Sequence, residues 1–213
     1  MSRRTMVRIY LLFQILILMV TAVPAYADEA PVYFEPAEYG ESIRFLQKIG
    51  VLDAEMPSGQ LENYVTRGEF AELMLAALGL KDKYAEENAV CRYTDVAPEH
   101  PYARWISGAA DLGMFDPAGE FRPDECLAYN EAVKVMVTAI GFHVQAEELG
   151  GYPQGFRLMA ERRELLADVQ DYGNAEIPRG DLYRLLENTI TADMLIPDGF
   201  GERYTFSVYE GRN

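Results

Sequence analysis

The chain has 213 residues, 49% of them hydrophobic, and carries 34 acidic against 19 basic side chains, a formal net charge of −15. So acidic a surface repels nucleic acid and anionic membranes and argues against both as partners; an anionic ligand needs a local basic pocket set against that field. The two histidines, His100 and His143, stand in no metal-ligand spacing, and no nucleophile-elbow or phosphate-loop pattern occurs, so no metal, cofactor or catalytic activity is expected.

Residues 1–27 read as a secretory signal peptide. Arg3, Arg4 and Arg8 form a positive start, Ile9 opens a nearly unbroken apolar run to Val20, and Pro24-Ala25-Tyr26-Ala27 offers a small-x-small cleavage site. An uncleaved anchor is the alternative, but the apolar run is short for a span. Cleavage leaves 186 residues with 16 basic and 34 acidic side chains, a formal charge of −18, and enough chain for one well-cored domain. Export also permits oxidation of Cys91 and Cys126. Two thiols make no disulfide framework, and two free, partly buried cysteines are the default expectation.

Residues 28–40, acidic and holding Pro31 and Pro36, read as an extended lead-in. Ile43, Phe45, Leu46 and Ile49 then mark a short amphipathic helix ended by Gly50. Val65-Thr66-Arg67-Gly68-Glu69-Phe70 opens a longer one. Thr66 and Glu69 have the spacing of a capping box, in which the hydroxyl takes the amide three residues on and the carboxylate reaches back. Phe70, Leu73, Met74, Ala77 and Leu78 form one apolar face, and Gly79 with Leu80 is a helix stop.

After a charged spacer, Tyr93-Thr94-Asp95-Val96 begins a second unit. Trp105, Ile106, Ala109, Ala110 and Leu112 make its short helix, ended by Gly113, and Phe121-Arg122-Pro123 lies in the loop. Ala132, Val135, Met136, Ala139 and Ile140 repeat the first apolar offsets on its longer helix. A third unit runs from Tyr152-Pro153 through Phe156, Leu158, Met159 and Ala160 to Leu165-Leu166. Its longer helix follows Ile177-Pro178-Arg179-Gly180-Asp181, with Leu182, Leu185, Leu186, Thr189 and Ile190 on the same offsets.

Three copies at periods of 62 and 50 residues define a repeat. The expected fold is all-α, three helix-loop-helix units over residues 41–80, 91–142 and 152–195, packed around a pseudo-threefold core. Residues 196–213 are a tail or the start of a β-rich region. Arg203 to Gly211 alternates like a strand with nothing helical to pair with, so the chain is read either as a piece of a longer protein with a β-rich next domain or as ending in a flexible tail.

These motifs resemble the S-layer homology domain, whose unit has an F-x-D-V start, a Trp-bearing short helix, a glycine loop with F-x-P, and a T-R-A-E element opening the longer helix. Tyr93 to Val96, Trp105, Gly113 and Phe121-Arg122-Pro123 follow it in the second unit, Thr66-Arg67-Gly68-Glu69-Phe70 in the first, and Pro178-Arg179-Gly180-Asp181-Leu182 in the third. The likeness implies a non-enzymatic module on the cell surface of a Gram-positive-type bacterium. Such a module binds a secondary cell-wall polysaccharide non-covalently, often through anionic ketal groups.

Carried onto this chain, Arg67 and Arg179 become anion clamps, by their planar bidentate forks. Trp105 becomes a platform for a sugar ring, and Asp95 an acceptor for an arginine or a sugar hydroxyl. Tyr129, counted with these as a ligand-binding candidate, stands where the second unit should carry its arginine, and Ala128 replaces the capping threonine. That departure points to the alternative of a degenerate spacer or protein-interaction module. A salt bridge for each arginine, a core position for Trp105 and a turn cap at Asp95 are the competing structural roles. Glu69, Glu131 and Asp181 are assigned to capping and the helix dipole alone.

Overall fold

The repeated amphipathic stretches fold as pairs, a shorter helix followed by a longer one. The computed structural model describes residues 39–53, 60–85, 92–116, 119–198 and 205–209; the proposed signal peptide and Cys91 lie outside them. Within this set the chain is mostly helical. The first pair is α1 (Gly40–Lys48) and α2 (Arg67–Ala77), after which comes α3 (Lys81–Ala85). The second is α4 (Ala103–Asp111) and α5 (Tyr129–Ala139), followed by α6 (His143–Glu148); the third is α7 (Gln154–Arg162) and α8 (Arg179–Thr191). A hairpin follows, made of β1 (Met194–Asp198) and β2 (Thr205–Tyr209).

Local chemistry explains the helix ends. The Thr66 hydroxyl accepts the Glu69 amide at 3.2 Å, so one half of the capping box forms. Both Glu69 carboxylate oxygens go instead to Arg179, a correction that bears on the site. Gly50, Gly79, Gly113 and Gly141 each take a left-handed φ. The next amide in each case returns to the carbonyl five residues before it, as Leu80 does to Leu75 at 2.8 Å. Glu164 takes the same left-handed role after α7, and the Leu165 amide reaches the Ala160 carbonyl at 2.9 Å.

One continuous core joins the three pairs. Phe70 and Met74 of α2, Ala132, Val135 and Met136 of α5, and Leu182, Leu185 and Leu186 of α8 are all but inaccessible. At a typical 1.5–3 kcal/mol for each large buried side chain, this face provides most of the drive to fold. Four expected core residues are exposed instead, among them Ile49, which caps the end of α1. Leu78 caps the end of α2, Leu112 caps α4, and Leu158 lies on the outer side of α7. The stretch read as a charged spacer begins with α3, which buries Tyr84 against Gly108 of α4; a Cβ on Gly108 would stand 2.7 Å from the Tyr84 ring.

The segments entering the three longer helices bond to one another. Tyr64 bridges Pro178, Thr66 bridges Cys126, and Ala128 bridges Glu176, all antiparallel. The first residue of each longer helix donates its amide to the next segment: Arg67 to the Glu125 carbonyl at 2.9 Å, Tyr129 to Ala175 at 2.9 Å, and Arg179 to Asn63 at 2.8 Å. The result is a closed ring of backbone bonds. Cys126, on this ring, carries a free and exposed thiol rather than a partly buried one.

The tail differs from the expectation of an unpaired strand. Thr205–Tyr209 pairs antiparallel with Met194–Asp198, in the register Met194 to Tyr209 through Asp198 to Thr205. The partner is the segment just upstream, where Ala192 leaves α8 directly in an extended conformation and no glycine stop intervenes. The Leu195 amide donates to the Ile140 carbonyl at 2.9 Å and fastens the hairpin to the end of α5. Among the described residues no helix is long and apolar enough to cross a membrane.

Candidate functional site: two arginine clefts and a tyrosine corner

Because the ring fixes the first residue of each longer helix, it also fixes where Arg67, Tyr129 and Arg179 stand: one at each corner between neighbouring pairs. Arg67 is buried at the start of α2. Its Nη1 pairs with Glu131 of α5, and its Nε donates to the Phe121 carbonyl. The guanidinium lies 4.9 Å from the Phe121 ring centroid and 5.9 Å from that of Phe115.

Asp95 shapes this corner without facing it. Its two carboxylate oxygens accept the amides of Phe121 at 2.8 Å and Arg122 at 2.6 Å, which holds the loop whose carbonyl receives Arg67. Desolvation opposes the charge, but these amide bonds, with the Arg67 charge behind them, keep the carboxyl below the usual range. Asp95 is therefore a turn cap. A cavity of about 150 Å³ opens beside it, lined by Arg67, Phe121, Glu131 and Lys134, whose Nζ reaches Asp116 at 3.2 Å.

The Arg179 corner is built in the same way. At the start of α8 its guanidinium meets both oxygens of Glu69 on α2, with Nη2 to Oε2 at 2.9 Å, and Nη1 donates to the Tyr183 hydroxyl at 3.1 Å. Burial works against the charge, yet the bonds to Glu69 and Tyr183 raise its proton affinity above the ordinary arginine value. Nε is covered from solvent and meets no partner. Lys81, Tyr102 and Glu72 share its cavity of about 260 Å³, with Lys81 Nζ on Glu72 at 2.8 Å.

Trp105 lines neither cavity. Half-buried on α4, it donates its indole N–H to the Lys81 carbonyl at 3.4 Å, and the Arg104 and Lys81 cations lie 5.5 and 5.8 Å from its ring. It fastens α3 to α4.

The third corner has no arginine at the helix start. Tyr129 is buried there, edge-on to Tyr172 at 6.0 Å, and Tyr172 donates its hydroxyl to the buried Asp181 of α8. Burial raises the proton affinity of both tyrosine hydroxyls, and for Tyr172 the Asp181 contact adds to the effect. A cation does arrive, from another direction: Arg157 of α7 lies 5.9 Å from the Tyr129 ring centroid and pairs with Asp171.

Glu69, Glu131 and Asp181 thus do more than cap helices. Each stands two residues after the corner residue of its own helix; the first two bind the corner arginine of a neighbouring pair, and Asp181 receives Tyr172. An acid recurring at that position in all three units was the available signal. Tyr172, Lys81, Lys134 and Arg157 carried no such regularity.

The geometry defines a mostly helical protein with two arginine-centred clefts at the corners of a closed ring. No family model matches the chain. It is similar to the Middle cell wall protein of Brevibacillus brevis, at 26% identity over 82% of this chain. The chain spans only 17% of that protein's length.

Proposed function

We propose that this chain is a non-catalytic module of the S-layer homology type, three degenerate repeats that hold an exported protein on a Gram-positive-type cell wall. It does so by taking an anionic secondary wall polysaccharide, of the ketal-bearing kind, into the Arg67 and Arg179 clefts. The observation that carries this reading is the pairing, in each cleft, of an arginine, buried at Arg67 and half-buried at Arg179, with a second cation: Lys134 beside Arg67 and Lys81 beside Arg179. On a chain of charge −15 each of these clefts gathers at least two cations, although acids of the same clefts balance them. The likeness to a relative named for the cell wall supports the location.

The acids in these clefts set the terms of binding. Glu131 and Glu69 already neutralise the arginines, and Asp116 and Glu72 the lysines, so an incoming carboxylate shares or displaces a partner, and affinity comes from several weak contacts along the polymer. A second reading, a spacer or protein-interaction module, is favoured by the tyrosine corner and by that internal neutralisation.

Pull-down of the signal-free chain with purified sacculi separates the two. Arg67→Ala combined with Arg179→Ala, and separately Lys134→Gln combined with Lys81→Gln, should each reduce retention at least tenfold. Circular dichroism confirms folding, and the lysine pair leaves Arg67 and Arg179 in place. Retention untouched by both double variants removes the clefts from the mechanism; a wild type that is never retained favours the spacer.

A further inference from the structure

The Arg179 cleft holds a donor that is not in use. Lys81 in its lining is held by Glu72 at 2.8 Å, and the Tyr183 hydroxyl receives Arg179 at 3.1 Å. The Tyr102 hydroxyl, in the same lining, has no hydrogen-bond partner among the described residues. The rest of Tyr102 is fixed. Its amide donates to Nδ1 of His100 at 3.2 Å, and its ring lies 6.0 Å from that of His100 and 6.1 Å from that of Trp105.

Gly68 provides the seat for this ring. A Cβ there would stand 2.8 Å from the Tyr102 ring and 3.1 Å from the Pro123 carbonyl oxygen, so the alanine of the S-layer homology motif would push the ring aside. Gly68 directly precedes Glu69, and the ring is thereby held on the side of the cleft where Glu69 meets Arg179. Burial raises the proton affinity of the hydroxyl, the Glu69 and Glu72 charges add to this, and Arg179 opposes it. The Arg67 corner is built differently. Asn130 takes the place of the glycine on α5, and Tyr152, just ahead of α7 as Tyr102 is of α4, is exposed and lines no part of that cavity.

We propose that the Tyr102 hydroxyl is the second partner of Glu69: when an anion takes the guanidinium of Arg179, the Glu69 carboxylate turns to Tyr102 instead of being stranded. This rests on the reading of the cleft as an anion site, and it removes the main obstacle to that reading. Glu69 is mostly covered, and a covered carboxylate that loses its partner resists the exchange. A phenol hydroxyl donating to a carboxylate makes a charge-assisted bond, and the donor gives up only solvent to form it. Glu69 keeps its charge throughout, and the Tyr102 ring stays on its seat. The Arg179 cleft can exchange partners in this way and the Arg67 cleft cannot.

A double-variant cycle that needs no ligand tests the exchange. Tyr102→Phe alone should change the folding equilibrium, read by urea unfolding, by less than about twofold, because its hydroxyl has no bond to lose. In an Arg179→Met background, where Glu69 has already lost its guanidinium, the same change should cost about tenfold more. Equal effects in the two backgrounds would show that the freed carboxylate goes to solvent or to the Thr66 amide, and would overturn the proposal. A second measurement keeps Arg179 in place: acetate is titrated into the signal-free chain at constant ionic strength, and the Arg179 side-chain NMR signal is followed. Tyr102→Phe should weaken acetate binding by about fivefold or more, and an unchanged affinity would likewise overturn the proposal. A wild-type Arg179 signal that ignores acetate overturns the anion reading of this cleft instead, and a coupled cycle then still supports Tyr102 as the second partner of Glu69.

Discussion

Glu69→Gln removes the charge opposite Arg179 while keeping the shape of the side chain. In the native protein the Arg179 side chain is 12% exposed and that of Glu69 24% exposed. Breaking a fully buried pair costs about 3–5 kcal/mol, whereas a solvated pair is worth about 0–1 kcal/mol. This pair lies nearer the buried limit, and the amide still accepts one bond, so a loss of about 2–3 kcal/mol is expected. For a domain of this size that is a fall of roughly 5–10 °C in melting temperature. Arg179→Met removes the stranded guanidinium as well, so the double variant should recover part of the loss, with a coupling energy of about 1–2 kcal/mol. Urea unfolding at pH 7, followed by circular dichroism, measures all four corners of the cycle. A single-variant loss below about 0.5 kcal/mol, or strict additivity, would refute the claim that this contact seals the first helix pair to the third.

Two further substitutions test other parts of the structure. Gly108→Ala should destabilise by about 1–3 kcal/mol through overpacking against Tyr84, although alanine in a helix interior ordinarily gains about 1 kcal/mol over glycine; a gain in melting temperature would show that α3 yields. Asp95→Asn tests the turn cap by pH. The folded-state carboxyl lies below its ordinary value, so its contribution is complete above about pH 4 and fades as pH falls through the folded value. The melting-temperature gap between wild type and variant should therefore be widest near neutrality and close in acid, and a gap constant down to pH 3 would contradict this account.

The helices were legible because their signals are local. Thr66, the glycines at 50, 79 and 113, and the five repeated apolar offsets act within one or two turns, and the all-α fold followed from them. What the sequence concealed depends on distance along the chain. Arg179 and Glu69 are 110 residues apart, and nothing at either position names the other. The second half of the capping box failed for the same reason, since a guanidinium from another pair is a stronger partner for Glu69 than the amide behind it. α3 is five residues long, too short to show a period, and is held by Tyr84, Gly108 and the Trp105 indole. Half of the hairpin looked unpartnered because Met194–Asp198 contains a proline and shows no alternation; its pairing with Thr205–Tyr209 is a tertiary fact.

Stacked repeat proteins are open rows: a unit at either end has one neighbour, frays first, and needs a special outer face. The ring of backbone bonds here leaves no end position. Gly180 donates to the Leu61 carbonyl at 3.0 Å and Arg179 to Asn63, so the third pair is sealed to the first as the second is. Loosening any one pair unmakes two seams at once, which couples the three into a single melting event instead of a stepwise unzipping. It also forbids trimming the array by a unit, because removing α7 and α8 strands the carbonyls of Leu61 and Asn63 on one side and the amide of Tyr129 on the other.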